Sequence, residues 1–483
     1  MIYRSTRGLA PAKTFSEAVL EGLAEDGGLL VPDSLPDFSG QLGQLAGLEY
    51  PALAARLLTP LATDMPAQLV ASCCERAYGP RYGGPVAPLV RWGDRYVLEL
   101  IHGPTLAFKD VALQLLGQLF EVILEQRQQR LNIVAATSGD TGSAAIYGVL
   151  GCPRVSLFVT HPKGRIAELQ RLQMSTVLQP NIFNLAVDGS FDECQNMVKE
   201  LAGDLEFKRR YSIGAVNSIN WARIAAQIVY YFAAYLQTPG AARRRPVVMA
   251  VPTGNFGNIL AAEYARRMGL PIAELVLASN ENDILPTFFR TGVYRRGEAR
   301  QTHSPAMDIQ VSSNFERYLH MLADGDGEKV RLQMETFQRT GALELAPVSR
   351  GWSAFACSNQ DTVQTVLQVH KQHGRVLDPH SATAWWALSQ RQPELDPELD
   401  RIVVATAHPA KFPEVLQRAL PAGTEGLTHP ALEALRAKPE RLFELAASSQ
   451  DLKTFVATHV SDQEGTCSQS QGGVFSSLEE KAR

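Results

Sequence analysis

The segment Gly103-Pro104-Thr105-Leu106-Ala107-Phe108-Lys109-Asp110 sets one lysine among apolar and turn-forming neighbours, just ahead of a hydrophobic run. An amine held against apolar walls at a loop-to-helix junction gives up its proton more readily than one in water, because burial penalises the charged form. It then becomes a nucleophile for a carbonyl carbon. The same residues also suit a surface lysine that opens a helix.

Two further junctions offer anion sites. In AATSGDTGSAA, Ala135 to Ala145, an apolar strand gives way to small hydroxyl and glycine residues and then to a helix. Backbone N–H groups there, with Thr137, Ser138 and Thr141, suit a carboxylate or phosphate, or serve an ordinary capped helix. In VPTGNFGNIL, Val251 to Leu260, two glycines flank Asn255 and Phe256 before a helical run. Glycine lets a backbone approach a phosphate closely, and a helix N-terminus adds a favourable field. The spacing is not G-x-G-x-x-G, and no lysine follows as a phosphate-binding P-loop requires. Thr406, in VVATAHPAKF, stands at the C-terminal end of an apolar strand, where open α/β sheets bind ligands, although a threonine there is also compatible with a structural role. His380 and His408 show no partner in the sequence that would make either a general base. A lysine in an apolar setting, a glycine-rich phosphate cradle and a second anion loop on an α/β framework together fit a phosphorylated aldehyde cofactor, pyridoxal phosphate.

The elements that must position these residues follow from periodicity. From about residue 95, short apolar runs (YVLEL, NIVAAT, VSLFVT, IFNLAV, PVVMAVPT, IAELVLAS, DRIVVATA) alternate with longer helical ones. That alternation predicts parallel sheets covered by helices, an α/β protein. The helix after Lys109 carries Val111, Leu113, Leu115, Leu116, Leu119, Phe120, Val122 and Ile123 around most of its circumference, so it is expected to be deeply packed. Residues 1–85 read as a mainly helical leading domain and 86–420 as the catalytic core, with a smaller subdomain at about 128–215. Residues 312–395 read as mostly helical. Residues 421–483 read as a C-terminal extension whose polar end, from about 460, is expected to be weakly ordered.

Length and composition narrow the class. A chain of 483 residues exceeds one core, and 45% apolar with 20% charged residues is ordinary for a globular protein. A net charge of −4 leaves no electrostatic footprint for nucleic acid or an anionic membrane. The basic turn Arg243-Arg244-Arg245 reads as a solvated loop. Six cysteines without CxxC or zinc spacing point to reduced thiols and no metal site. No run spans a bilayer and the N-terminus lacks a signal-peptide core, so the expected location is cytoplasmic and the expected partners are small molecules.

The matching segments YRSTRG (3–8), HGPTLAFKDVALQ (102–114), ATSGDTGSAA (136–145), VDGSFDECQ (187–195), NSINWARI (217–224), VPTGNFGNILA (251–261), LDPHSATA (377–384) and ATAHPAKF (405–412) resemble the threonine synthase family, of the bacterial and fungal branch. The resemblance implies a fold-type-II pyridoxal-phosphate enzyme whose core has two αβα subdomains. It implies the conversion of O-phospho-L-homoserine and water into L-threonine and phosphate by γ-elimination and β-addition of water. By the same likeness Lys109 forms the imine with the cofactor and later moves protons. Gly254, Asn255, Phe256, Gly257 and Asn258 cradle the cofactor phosphate, and Thr406 faces the pyridine nitrogen. Ser138, Gly139, Asp140 and Thr141 resemble a carboxylate loop. Asn217, Asn220 and Arg223, read as one helical face, are candidates for the substrate phosphate, with Lys163 and Arg165 further candidates. A monomer or homodimer is expected.

Three other readings stay open on sequence alone. On the same scaffold, a phospholyase or a serine/threonine dehydratase would release 2-oxobutanoate. A nucleotide-binding protein could use the two glycine-rich loops but leaves Lys109 unexplained. A pyridoxal-phosphate carrier without catalysis is the third.

Overall fold

The apolar runs read as strands pair in two separate sheets. A computed structural model describes residues 1–137, 139–214, 216–348 and 350–472, with side chains as far as 460. The chain divides into a larger unit, 1–120 with 217–437, and a smaller one, 121–216 with 438–483.

In the larger unit six strands lie in the order Trp352–Ala356, Ile272–Ser279, Val247–Pro252, Asp400–Ala405, Arg95–Glu99 and Leu89–Trp92. All neighbours are parallel except the last pair, an antiparallel hairpin. Register aligns Val276, Ala250, Val403 and Val97 across four strands. These side chains are buried in one cluster with Val366, Val369, Trp385 and Leu388 of the helices Asn359–His373 and Pro379–Arg391. Each buried valine or leucine contributes about 1.5–3 kcal/mol relative to exposure, which is why near-continuous apolar strands end up in a sheet covered by helices. The helix Lys109–Arg127 is buried at every apolar position expected of it, from Val111 to Ile123. In Trp221–Leu236 every residue from Trp221 to Tyr235 is buried.

The N-terminal segment contains helices, as its periodicity implies, and a two-stranded antiparallel pairing of Tyr3–Ser5 with Leu30–Pro32. It lies within the larger unit. Two side chains of the YRSTRG motif anchor it. The Thr6 hydroxyl donates to Glu316 Oε1 at 2.7 Å, and the Arg7 guanidinium holds both Glu316 oxygens at 2.9 Å.

The smaller unit holds five parallel strands in the order Phe443–Ala446, Ile182–Asp188, Val155–Pro162, Leu131–Ala136 and Ile213–Gly214. Its first strand comes from residues read as a C-terminal extension, so part of that stretch completes a sheet. The helix Ser449–Gly472 continues past residue 460, and residues 473–483, on which the rest of the expected weak order falls, lie outside the described residues. Residues 312–395 are mainly helical, but Trp352–Ala356 forms the edge strand of the larger sheet. Five residues of mixed burial carry too little alternation to announce a strand.

Candidate active site

Three of the segments singled out for chemistry leave the carboxyl ends of adjacent parallel strands in the larger unit. Arg95–Glu99 runs on toward Lys109, Asp400–Ala405 into Thr406, and Val247–Pro252 into the glycine loop. This is the edge at which open α/β sheets bind ligands.

A backbone ladder joins the first two. Leu100 N–H donates to the Ala405 carbonyl at 3.0 Å, Phe108 N–H to that of Thr406 at 2.8 Å, and His408 N–H to that of Leu106 at 2.9 Å. Lys109 therefore opens its helix one residue beyond a direct bond to Thr406, itself buried. Leu106 takes φ of 60°, a costly conformation for a side chain with a Cβ, at the turn that delivers Lys109. Asp110, fully buried, fixes the turn by accepting from Thr105 N–H at 2.8 Å and the Thr105 hydroxyl at 2.7 Å. Burial pushes the Asp110 carboxyl up to about 6, against the pull of the Thr105 bonds and of Lys411. Lys411 Nζ in turn donates to the Thr105 carbonyl at 2.7 Å.

The glycine loop fits a phosphate group. The helix Gly257–Arg267 starts with no side-chain cap, after Phe256 at φ 64°. For the main-chain N–H groups of Gly254 to Asn258, no protein acceptor is found among the described residues. Five consecutive donors at a helix N-terminus form an anion cradle. Asn258 adds a buried Nδ2 with no partner among the described residues, while its Oδ1 accepts from the hydroxyls of Tyr230 and Tyr231. The left-handed Phe256 is locked by its ring, stacked on Phe289 and Trp352 and edge-on to Phe315.

Sequence reasoning missed the residues that hold this loop. The Ser312 hydroxyl donates to the Gly254 carbonyl at 2.7 Å, and Asn314 donates to the Asn255 carbonyl through both N–H and Nδ2, at 3.1 and 3.2 Å. The Ser313 hydroxyl reaches Asn255 Oδ1 at 3.1 Å. Arg317, fully buried, donates to Asn314 Oδ1 at 2.6 Å and to the Leu30 and Ile219 carbonyls. In sequence, Ser-Ser-Asn before an apolar periodic run signals only a helix start.

The histidines have partners that the sequence hides. His380 donates from Nδ1 to Asp378 Oδ1 at 3.0 Å and accepts the Ala306 N–H at Nε2, 3.2 Å, so its tautomer is fixed and both nitrogens are engaged. Asp378 caps the helix Pro379–Arg391 and accepts from the Ser381 hydroxyl, which itself accepts the Thr406 N–H at 2.9 Å. The LDPHSATA motif thus holds Thr406 in place. His408 accepts the Ala410 N–H at Nδ1.

Asn217, Asn220 and Arg223 do not form one helical face, because the helix begins at Trp221. Asn217 lies exposed before it. Asn220 is its cap and donates to the Val19 carbonyl at 2.8 Å, and Arg223 is buried in the first turn. Burial lowers the Arg223 guanidinium to about 10.

In the smaller unit, Thr137 Oγ1 accepts from Gly139 N–H at 3.0 Å and Gly142 N–H at 2.9 Å, shaping the turn into the helix Asp140–Gly148. Asp140 accepts from Gln170 at 3.2 Å, and Thr141 is half-buried in the first turn. Ser138 lies outside the described residues. Lys163 is exposed and paired with Glu444 at 2.8 Å, and Arg165 is exposed. Among the described residues no cluster of His, Cys, Asp and Glu could hold a metal ion, and none of the five described cysteines is in a disulfide. No helix among them is long and apolar enough to cross a membrane.

Comparison with known proteins agrees with this geometry. Residues 2–78 match the threonine synthase N terminus, 95–406 the pyridoxal-phosphate dependent enzymes, and 381–456 the threonine synthase C-terminal family. The chain is 44% identical over 427 residues to the threonine synthase of Pseudomonas aeruginosa, covering 87% of this chain and 90% of that one. It is 39% identical to the Saccharomyces cerevisiae enzyme over 94% of each. Among solved structures, the pyridoxal-phosphate-bound threonine synthase of Brucella melitensis superposes with a TM-score of 0.89 at 40% identity, over 95% of this chain and 99% of that one. A lysine, a cradle and a threonine beyond the carboxyl ends of adjacent strands, in a chain matched along nearly its whole length, carry one conclusion: the chain belongs to the threonine synthase family of fold-type-II pyridoxal-phosphate enzymes.

Proposed function

We propose that Lys109 is the catalytic amine through which this chain carries out the family's reaction, O-phospho-L-homoserine and water giving L-threonine and phosphate. The observation that carries the reading is the ladder from Phe108 to Thr406, which supports a shared position for the amine and the Thr406 hydroxyl at the carboxyl edge of the sheet. Pyridoxal phosphate, when bound, supplies a conjugated electron sink for carbons next to the substrate amine. The chain's own groups do the rest. The N–H groups of Gly254 to Asn258 and Asn258 Nδ2 would hold the cofactor phosphate. Thr406 would offer the ring nitrogen a neutral hydroxyl, which supports a charged ring less than a carboxylate does and so would restrain side reactions at the α carbon. The Lys109 amine would take the α proton and pass it to the conjugated system, so that it is free again to take a β proton, which it would return to the γ carbon once phosphate has left with the C–O bonding pair. Water would then add its hydroxyl at the β carbon, its other proton going to the released phosphate, and the α carbon would regain its proton. Asp140, Gly139 and Thr141, with Ser138, are read as the substrate carboxylate loop.

Reduction of the holoprotein with borohydride followed by peptide mass spectrometry tests the assignment. The cofactor mass is expected on Lys109, and Lys109→Ala should lose the mark and at least about 10³-fold in turnover while keeping its far-ultraviolet spectrum. A mark on another lysine would overturn it. Release of 2-oxobutanoate instead of threonine would favour the phospholyase reading. We further read the protein as a cytoplasmic monomer or homodimer, to be checked by sedimentation.

A further inference from the structure

A cavity of about 680 Å³ opens in the larger unit. None of Lys109, Gly254 to Asn258 or Thr406 lines it, yet Leu106, Ala405, Ala407 and His408 do. Its wall is therefore the reverse side of the ladder that sets Lys109 beside Thr406. The volume falls within the roughly 300–1,000 Å³ of small-molecule sites, which combine apolar walls with a few oriented polar groups.

Both kinds of wall are present. Trp92, Ile101 and Val376 supply apolar surface. On the polar side, the rings of His408 and His429 stand 4.9 Å apart. Each turns Nδ1 to a backbone N–H, of Ala410 at 3.1 Å and Ala431 at 3.2 Å. Each ring consequently carries its proton on Nε2 and presents that N–H as a donor. Burial, with repulsion from His429 and His102, pushes His408 down to about 4, and burial lowers His429 as well. Two close imidazoles kept neutral in this way gain most from an anion between them. Opposite in sign is Glu99, a mostly buried carboxylate whose Oε2 meets His102 Nε2 at 2.9 Å, leaving Oε1 to receive a cation. Asp378 also lines the cavity, but its oxygens are bound by His380, Ser381 and the helix start.

We propose that this cavity binds a free α-amino acid with an apolar side chain, its carboxylate on the Nε2–H groups of His408 and His429 and its ammonium on Glu99. The side chain packs on Trp92, Ile101 and Val376. The ligand touches Leu106, whose φ of 60° lies on the path to Lys109, so occupancy bears on the amine without competing for the site.

The test is calorimetric titration of the borohydride-reduced holoprotein, in which Lys109 can no longer exchange with an amine, so that its outcome is independent of the role given to Lys109. L-Leucine, L-valine and L-phenylalanine are the probes, with leucine amide and isovalerate lacking one charge each. At least one amino acid is expected to bind with a dissociation constant of about 1 mM or tighter. Both single-charge analogues, and the variants His429→Ala and Glu99→Gln, should bind about tenfold or more weakly. Absence of heat with all three amino acids at ten times that concentration would overturn the proposal. So would binding that both variants leave unchanged, or that added O-phospho-L-homoserine abolishes by competition.

Discussion

Asp110 shows how one residue sets both the geometry and the pH response of the lysine turn. Its carboxylate receives two bonds from Thr105, yet it is fully buried, and burial raises it from the usual value to about 6. Between about pH 4 and 6 the folded chain then holds a proton that the unfolded chain releases. This group's contribution is therefore complete below pH 4 and is lost as the pH rises through 6. Asp110→Asn keeps an acceptor for Thr105 N–H, and the Thr105 hydroxyl can turn to accept from the new amide. The variant should gain stability relative to the parent as the pH goes from 4 to 7, by up to about 3 kcal/mol. Thermal midpoints of both proteins across that range check it, and a constant difference would refute the account. Lys109, Gly254 and Thr406 could be picked out in the sequence because each stands where an apolar run breaks at an unusual residue type. Asp110 could not, since an acidic residue in the first turn of a helix reads as an exposed partner of the helix dipole.

At the scale of elements, the loop Gly254 to Asn258 owes its shape to the segment Ser312 to Arg317. Phe256 stores strain of order 1–3 kcal/mol in its positive φ, which persists because packing over-determines it. Asn314 is the hub. It binds the Asn255 carbonyl twice and the Ser218 carbonyl at 3.1 Å, and it receives Arg317. Asn314→Ala keeps the backbone bond to the Asn255 carbonyl but removes the Nδ2 bonds to Asn255 and Ser218, and it leaves one Arg317 N–H without its acceptor, at about 1–3 kcal/mol. The expected result is pyridoxal phosphate binding weakened by about 5- to 100-fold, read by cofactor fluorescence on the apoprotein, with the secondary structure retained. An unchanged affinity would mean that the loop holds its form without this clamp. Periodicity made the strands and most helices legible, since each buries a continuous apolar face. It could not reveal which polar residues tie one loop to another, because Ser312 and Gly254 are far apart in the chain and their pairing depends on tertiary packing. The same limit hid the partners of His380, and it concealed Trp352–Ala356, whose strand identity comes from its neighbour Ile272–Ser279.

For the whole molecule, continuity of sequence and continuity of fold part company. The smaller unit starts inside the lysine helix, ends near residue 216 and is completed by residues from 438 onward. Phe443–Ala446 pairs in parallel with Ile182–Asp188, and Arg441 donates to the Ile182 carbonyl at 3.1 Å. The final helix places Leu452 and Val456, both fully buried, in one core with Phe158, Phe183, Met197 and Leu201. Lys453 reaches Asp204 at 2.7 Å. A linear reading assigns such residues to an extension because the strand is four residues long and its partner lies some 250 residues away. In the fold they are core. Leu452→Ala should therefore cost about 2–5 kcal/mol, the range for opening a cavity at a fully buried leucine. Since the larger unit has its own apolar cluster, the loss should fall on the smaller unit first. Hydrogen exchange should show faster opening of the amides in Ile182–Asp188 and Val155–Pro162, with those of Val247–Pro252 and Asp400–Ala405 unchanged. Equal acceleration in both sheets would show instead that the two cores open as one.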